Sequence, residues 1–339
     1  MTGSPIRVLL VGAGVMGSHH GRVAAESRRC ELVTVVDPLE RHGRALAERF
    51  GADWTPEMGT LAGVDAVIVA ASTGQHRKIA LEILAQGTPL FMEKPLCANL
   101  AESQEIVNLA LLRDIPLMCG FVERYNPAVR KALSCVESPS ALRTQRHSSY
   151  SPRVHAGVAW DLLVHDVDIA LHLFGGPAQT GETAPRVVHA ATAHSGRYTG
   201  GTGEDAVEAT LEFSGPRAAT FSANRLAPRR TRRLVAHERD RTVVADLLNP
   251  SVTVYSHPKP GNPMCRAWHP CLSSRHYRTI EHTECPQDRE PLAAQLDRFI
   301  DIIEGKADAR AETRSILPSH HAIAAILDSA NQTATVSAS

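Results

Sequence analysis

Lys94 stands in Glu93-Lys94-Pro95, directly after the short apolar run Pro89-Leu90-Phe91-Met92. The run reads as a strand, and the proline stops the chain from continuing as helix or central strand. That sets one lysine at the carboxyl edge of a sheet, where open α/β folds bind their ligands. The chain has five lysines against 31 arginines, so a lysine at this edge points to ammonium chemistry that a guanidinium cannot supply. A second pair, Asp161 and His165, lies in the stretch 160–174, which reads as a helix ending at Gly175-Gly176. Residues four apart share a helix face. A histidine there is the natural proton acceptor for an alcohol being oxidised, with Asp161 orienting the imidazole or binding a substrate hydroxyl. Taken singly, both patterns are ordinary, since a surface lysine can end a strand and D-x-x-x-H can be a solvated helix face.

The elements before Lys94 supply a reaction for it. The strand 6–11 runs into Gly12-Ala13-Gly14-Val15-Met16-Gly17, and a helix follows over about 14–27. Gly12 permits the tight turn, Gly14 lets backbone approach a pyrophosphate, and Gly17 lets the helix pack on the strand. The helix N-terminus, with Val15 and Met16, offers free N–H groups and a positive dipole end to phosphates. A second strand, 31–36, ends in Asp37, 20 residues beyond Gly17. A carboxylate there accepts hydrogen bonds from the adenosine ribose and repels a 2′-phosphate, which favours NAD; nearby Arg41 keeps NADP open. Helix 39–50, strand 65–71, helix 75–86, the strand before Lys94, helix 100–112 and strand 117–121 continue the alternation. This predicts a doubly wound parallel sheet of the α/β class. Ala71-Ser72-Thr73-Gly74-Gln75-His76 opens a helix at another strand end, so Ser72, Thr73 and His76 are candidate contacts to ribose or nicotinamide. Helix capping by Thr73 and an incidental His76 are the alternative.

After Gly120 the pattern changes. Phe121-Val122-Glu123-Arg124-Tyr125-Asn126-Pro127 ends one element and opens a helix at Pro127. Runs at 206–213, 218–223, 233–236, 242–246 and 252–256 are β-branched or alternate, and predict an antiparallel or mixed sheet with helices on one face. Arg229, Arg230, Arg232 and Arg233 precede a strand and can hold a substrate phosphate or diphosphate. They serve equally as solvated edge-strand charge or an oligomer contact. Helices at 291–304 and 315–329 are expected to pack back on the first domain, giving domains of 1–121 and 122–339. Cys265, His269, Cys271, His276, His282 and Cys285 crowd one stretch, but without a C-x-x-C or H-x-x-x-H pair, so no metal site is expected.

Composition narrows the classes further. At 339 residues, two domains are expected. A formal net charge of zero and no basic helix or aromatic-interleaved patch argue against nucleic acid. No apolar stretch approaches about 18 residues, so no membrane span is expected. The first apolar run reads as a strand and not as a leader. Seven scattered cysteines suit reduced thiols in a cytoplasm.

Together these residues resemble the Gfo/Idh/MocA oxidoreductases, the family of glucose–fructose oxidoreductase and inositol dehydrogenase. The resemblance rests on Gly12-x-Gly14-x-x-Gly17, Thr73-x-x-His76, Glu93-Lys94-Pro95, Phe121-x-x-Arg124-x-Asn126-Pro127 and Asp161-x-x-x-His165, in that order. It implies a Rossmann domain and a C-terminal α/β domain whose large open sheet forms a homodimer or homotetramer interface. Lys94 then matches the family's active-site lysine, and Asp161 with His165 its Asp/His pair. Glu93 joins the cofactor contacts, and Arg124 and Asn126 the substrate contacts. Segments 151–168 and 224–255 are most similar to the subgroup that includes UDP-N-acetylglucosamine 3-dehydrogenases; 257–285 departs from any recognised pattern.

The implied reaction moves a hydride between the nicotinamide and a secondary alcohol or ketone of a sugar, nucleotide sugar or cyclitol. The hydroxyl proton goes to His165 and Lys94 stabilises the oxygen, or Lys94 relays the proton itself. An amino- or keto-acid reductase and a cofactor-binding regulator without catalysis are the alternatives. The regulator's expected signature, a missing Lys94 or His165, is absent.

Overall fold

The first apolar run, Ile6–Val11, is strand β1, and its last four residues are buried. In the computed structural model, residues 4–150, 156–175, 184–194, 203–256, 279–286 and 289–337 are described. The chain divides into two compact units, residues 1–122 with 289–321 and residues 123–288 with 322–339.

In the first unit β1 is followed by α1 (Val15–Glu26), β2 (Cys30–Val36), α2 (Glu40–Phe50), β3 (Asp53–Thr55) and β4 (Ala66–Val69). Then come α3 (Thr73–Ala85), β5 (Leu90–Met92), α4 (Leu100–Leu112) and β6 (Leu117–Cys119). The six strands form one parallel sheet in the order β3-β2-β1-β4-β5-β6. This is the dinucleotide-binding order, whose direction reverses between β1 and β4 and leaves a crevice at their carboxyl ends. Every residue of β4, β5 and β6 is buried, as a parallel sheet covered on both faces requires. The register puts Val11, Val69, Met92 and Cys119 in one row. The residues that follow them, Gly12, Ala70, Glu93 and Gly120, therefore leave the sheet side by side.

The second unit contains a 3₁₀ turn at Val122–Tyr125, α5 (Pro127–Cys135), β7 (Ala141–His147), a π-helical turn at Ala159–Leu163 and α6 (Val164–Phe174). Strands β8 (Arg186–Ala193), β9 (Ala206–Phe213), β10 (Arg217–Asn224) and β11 (Thr231–His237) follow. The last strands are β12 (Arg241–Asp246), β13 (Ser251–Ser256) and β14 (Thr279–Glu284). They form an eight-stranded mixed sheet, β14-β13-β12-β11-β7-β10-β9-β8, in which only β7 and β10 run parallel. Helix α5 packs on β12 and β13, and α6 on β7 and β10. Leu142, Phe221, Ala223, Val207, Leu211, Leu234 and Val243 are buried, while Arg143, Glu208, Thr220, Glu212 and Arg233 stay exposed. The period-2 alternation of a one-sided sheet is thus kept.

Two helices after β14, α7 (Pro291–Ile303) and α8 (Ala309–Arg314), belong to the first unit. Helix α9 (Leu317–Ser337) starts there and continues into the second. No helix among the described residues is long and apolar enough to cross a membrane.

Candidate active site

Two parts of the chain carry the candidate chemistry, one in each unit. In the first unit the row Gly12, Ala70, Glu93 and Gly120 continues the main-chain ladder beyond the strands. Ala70 donates to Val11, Glu93 to Val69 and Gly120 to Met92, at 2.8 to 2.9 Å. Gly12 has φ +97°, and a Cβ on it would lie 2.7 Å from the Ala70 carbonyl oxygen, so only glycine fits. A Cβ on Gly17 would lie 1.8 Å from the Gly12 carbonyl oxygen. Around Gly14, by contrast, a Cβ would meet nothing within 4 Å. The open space lies where a pyrophosphate would approach α1, and Val15 and Met16 beside it are exposed at 54% and 39%.

Asp37, at the end of β2, is 8% exposed. Its Oδ2 accepts the Ala13 amide at 2.7 Å and its Oδ1 the Leu39 amide at 2.9 Å. Each carboxylate oxygen keeps a lone pair for a hydroxyl. Arg41, exposed on α2, lines a surface depression with Ala13, Ser18 and His42. A glycine cradle, a helix N-terminus and a ribose-directed carboxylate are the groups a dinucleotide needs, and they fit NAD.

Ser72 is the N-cap of α3, although its side chain makes no capping bond. Thr73 therefore opens the helix at its first turn and is not its cap. His76 is turned inward at 1% exposure. Its Nδ1 lies 3.0 Å from the Pro95 carbonyl and 3.2 Å from that of Leu96, and its Nε2 lies 3.1 Å from that of Ala71. The contacts of this side chain are thus with the Lys94 turn and with Ala71 at the start of its own segment.

The Glu93 carboxylate is buried, 2.7 Å from His20 Nε2 through Oε1. Its Oε2 accepts the Lys94 amide at 3.2 Å. Burial alone would raise this carboxyl's pKa; the His20 hydrogen bond and the nearby Lys94 charge outweigh it and hold the value below the ordinary one. Lys94 itself is half-buried and joined to Pro95 by a cis peptide.

In the second unit Asp161 and His165 stand as the spacing required, but the helix is not uniform. Residues Ala159–Leu163 form a π-turn, closed by the Val164 amide donating to the Ala159 carbonyl, before α6 begins. Such wide turns are frequent at functional sites. The start of the segment is held by Glu204, whose Oε1 accepts the Ala159 amide at 2.7 Å while its carbonyl accepts the Val158 amide at 3.0 Å. A Cβ on Gly157 would lie 2.2 Å from either Glu204 carboxylate oxygen, which fixes glycine at that position. Asp161 is half-buried and His165 is 7% exposed.

The other acids of α6 are committed to arginines. Asp166 Oδ1 accepts Arg146 Nε and Nη2 at 2.9 and 2.7 Å, and Arg146 Nη1 donates to Glu123 Oε1 at 2.8 Å. Arg232 Nη1 also donates to Glu123 Oε1, at 3.0 Å. Burial opposes the Arg146 charge, but Asp166 and Glu123 outweigh it and raise its pKa. Burial likewise opposes the Glu123 charge, and Arg146 and Arg232 reverse that effect and depress its pKa. Asp168 takes Arg124 in a two-pronged pair at 2.7 and 2.8 Å.

Two expected substrate contacts are therefore engaged within the unit. Arg124 is bound to Asp168, three residues along the helix from His165. Asn126 caps α5 through the Ala128 amide, and its Nδ2 donates to Glu123 Oε2 and the Leu247 carbonyl. The arginine cluster is also divided. Strand alternation turns Arg232 to Glu123 and leaves Arg233 exposed, beside exposed Arg229 and Arg230. Since β11 lies between β7 and β12, the edge-strand reading of these charges does not hold.

Among the described residues, no group of three or more His, Cys, Asp and Glu is placed to hold a metal. His282 is bonded to Thr253 and Glu284. Cys265, His269, Cys271 and His276 lie outside the described residues, as do Ser151, Pro152 and Arg153. Sequence reasoning missed His20, Glu204, Arg146 and Asp166. For His20 a signal existed: it follows Gly17 by three residues and so shares the helix face that packs on the sheet.

Comparison with known proteins follows the same lines. Inositol 2-dehydrogenase of Rhizobium meliloti (strain 1021) is 26% identical over 235 residues, covering 66% of this chain and 69% of its own. UDP-N-acetylglucosamine 3-dehydrogenase of Acidithiobacillus ferrooxidans is 26% identical over 253 residues, 74% of this chain and 77% of its own. The crystal structure of GenD2 from gentamicin A biosynthesis, in complex with NAD, has the same fold. Its TM-score is 0.79 at 23% identity, with 98% of this chain and 95% of that one covered. Residues 6–121 match the oxidoreductase family with an NAD-binding Rossmann fold named GFO/IDH/MocA, and residues 129–244 match that family's C-terminal domain. The chain belongs to the Gfo/Idh/MocA family of oxidoreductases.

Proposed function

We propose that this protein is an NAD-dependent dehydrogenase or ketoreductase acting on a secondary alcohol or ketone of a sugar, nucleotide sugar or cyclitol. The observation that carries the reading is the row at the sheet edge, which sets the glycine turn, the Ala71–His76 segment and Lys94 on adjacent strand ends. Gly12, Gly14, Gly17 and Asp37 would hold the dinucleotide, with Val15, Met16, Ser72 and Thr73 at the same edge. NAD, when bound, supplies the hydride acceptor at the nicotinamide.

The chain's own groups manage the proton and the charge on oxygen. His165 takes the hydroxyl proton as the carbon is oxidised, and returns it when a ketone is reduced. Asp161 orients the imidazole or binds a neighbouring hydroxyl. Lys94 donates to the reacting oxygen and stabilises its developing charge. The names of the family members reported above, an inositol dehydrogenase and a nucleotide-sugar dehydrogenase, support the substrate class. Exposed Arg229 and Arg230 are the groups that would suit a substrate diphosphate.

The exposed face of the eight-stranded sheet supports a homodimer or homotetramer. It carries a cross-strand network of His147, Ser222 and Glu208. Cys30, Cys97, Cys119, Cys135 and Cys285 are all free thiols, in keeping with a cytoplasmic enzyme.

The test is a panel of NAD and NADP with free sugars, cyclitols, nucleotide sugars and keto acids, read by thermal shift and by absorbance at 340 nm. Turnover of a sugar, cyclitol or nucleotide sugar with NAD is the expected result. Turnover confined to keto or amino acids would overturn the reading.

A further inference from the structure

The turn that carries Lys94 is held by three buried histidines of the first unit, each from a different helix. His20 of α1 meets the Glu93 carboxylate at 2.7 Å. His76 of α3 meets the Pro95 and Leu96 carbonyls. His320 of α9 accepts the Leu96 amide on Nε2 at 3.1 Å while its Nδ1 donates to the Ile316 carbonyl at 2.9 Å. All three are at most 2% exposed. His20 also stands edge-on to Phe91 of β5 at 5.1 Å, and His320 to Phe121 at 5.9 Å, so both rings are fixed by packing as well.

The three contacts are not equivalent. His76 and His320 satisfy backbone groups, whereas His20 is bonded to a charge. The Glu93 carboxylate has little freedom, because a Cβ on Gly120 would come within 2.7 Å of its Oε2. Its other oxygen is bonded by His20, and the amide it accepts is that of Lys94. The charged or titratable groups facing it are His20 from α1 and Lys94 from its own turn; the neighbouring end of β6 brings only the backbone of Gly120. Neutral Gln295 of α7 donates to the Cys119 carbonyl there.

We propose that His20 is a positioning residue for the reaction, fixing the Glu93 carboxylate against the Lys94 amide and so setting the place and charge environment of Lys94. The inference rests on the assignment of Lys94 above. His20 touches neither substrate nor cofactor in this account; it acts through Glu93.

The test compares His20→Leu, which removes the donor, with His20→Gln, which can return one at the same reach. Glu93 is followed in the full-length protein by ¹³C NMR of labelled glutamate carboxyls, assigned with Glu93→Gln, without cofactor or substrate. In His20→Leu the Glu93 midpoint is expected to rise by about a unit. The kcat for the alcohol is expected to fall about 10- to 100-fold, with KM for NAD within about threefold and NAD still giving a thermal shift. His20→Gln is expected to restore both. If His20→Leu does not fold, His20→Asn, whose donor is too short to reach, takes its place. A Glu93 midpoint that does not move, or a loss of kcat that His20→Gln fails to restore in a folded protein, would overturn the proposal. The titration is decided without turnover, so absence of any oxidised alcohol would count against the proposed function alone.

Discussion

The Lys94 turn of the first unit and the Asp161–His165 helix of the second solve the same positioning problem with different chemistry. Around Lys94 the contacts are hydrogen bonds between histidine rings and a carboxylate or main-chain groups. Around the helix they are buried ion pairs, Arg146 with Asp166 and Glu123, and Arg124 with Asp168. The reason lies in the backbone. A turn that leaves a sheet has amides and carbonyls with no regular partners, and each needs one. A histidine can supply a donor and an acceptor from one ring. A helix satisfies its own interior backbone, so what remains to be fixed is its rotation and depth, and charged side chains from β7 and from the 3₁₀ turn, Arg146 and Arg124, do that. At its ends the helix needs backbone partners: Glu204 provides them at the start, and Arg217 Nη1 donates to the Phe174 carbonyl at the finish.

The difference can be broken from the charged side first. Arg146→Met leaves Glu123 and Asp166 without their shared partner, and is expected to cost about 3–5 kcal/mol, read as a fall in the urea midpoint. A smaller loss follows in the turn. His320→Leu orphans one buried amide, that of Leu96, and is expected to cost about 1–3 kcal/mol in the same measurement. Equal losses for the two variants would remove the distinction drawn between the regions.

Gly157→Ala pushes a methyl into the Glu204 carboxylate and is expected to cost about 1–3 kcal/mol. It should also lower kcat by disturbing the helix start while leaving the NAD thermal shift unchanged.

One carboxylate in each region, Glu93 and Glu123, responds to acid in the same direction, and by the least; burial pushes Asp166 the other way. Glu93 and Glu123 have depressed pKa values in the folded chain. Their contribution to stability is therefore complete above the ordinary glutamate value of about 4.5 and lost as pH falls below it. A melting temperature that stays flat from pH 6 to about pH 3 would contradict both assignments.

Much of the first unit was legible because periodicity and glycine chemistry agree there. Apolar strands buried on both faces read as continuous runs, and the G-x-G-x-x-G turn has only one setting that satisfies all three glycines. The short strand β3 escaped because Asp53-Trp54-Thr55 is too brief to show a period. In the second unit β7 was missed for a physical reason. Its inward residues are Leu142, Thr144 and Arg146, and a buried arginine reads as surface until its two carboxylate partners are known. Those partners, Glu123 and Asp166, lie 23 and 20 residues away in sequence.

The same long-range pairing accounts for the substrate contacts expected of Arg124 and Asn126. Their motif was visible, but its bonds to Asp168 and Leu247, 44 and 121 residues away, were not. The Asp161/His165 spacing was read from an α-helical face, and the wide π-turn beneath Asp161 has no pattern of residue types that announces it. Glu204 belongs to the same class, a carboxylate 45 residues from the amide it accepts.

The central claim, that Lys94 serves the reacting oxygen at an NAD-binding sheet edge, is tested most directly by Lys94→Ala. The variant is assayed at 340 nm with NAD and the alcohol that the wild-type protein oxidises, and its binding of NAD is measured in parallel. The account predicts a loss in kcat of at least about 10²-fold with NAD binding retained. Turnover close to that of the wild-type protein would contradict it.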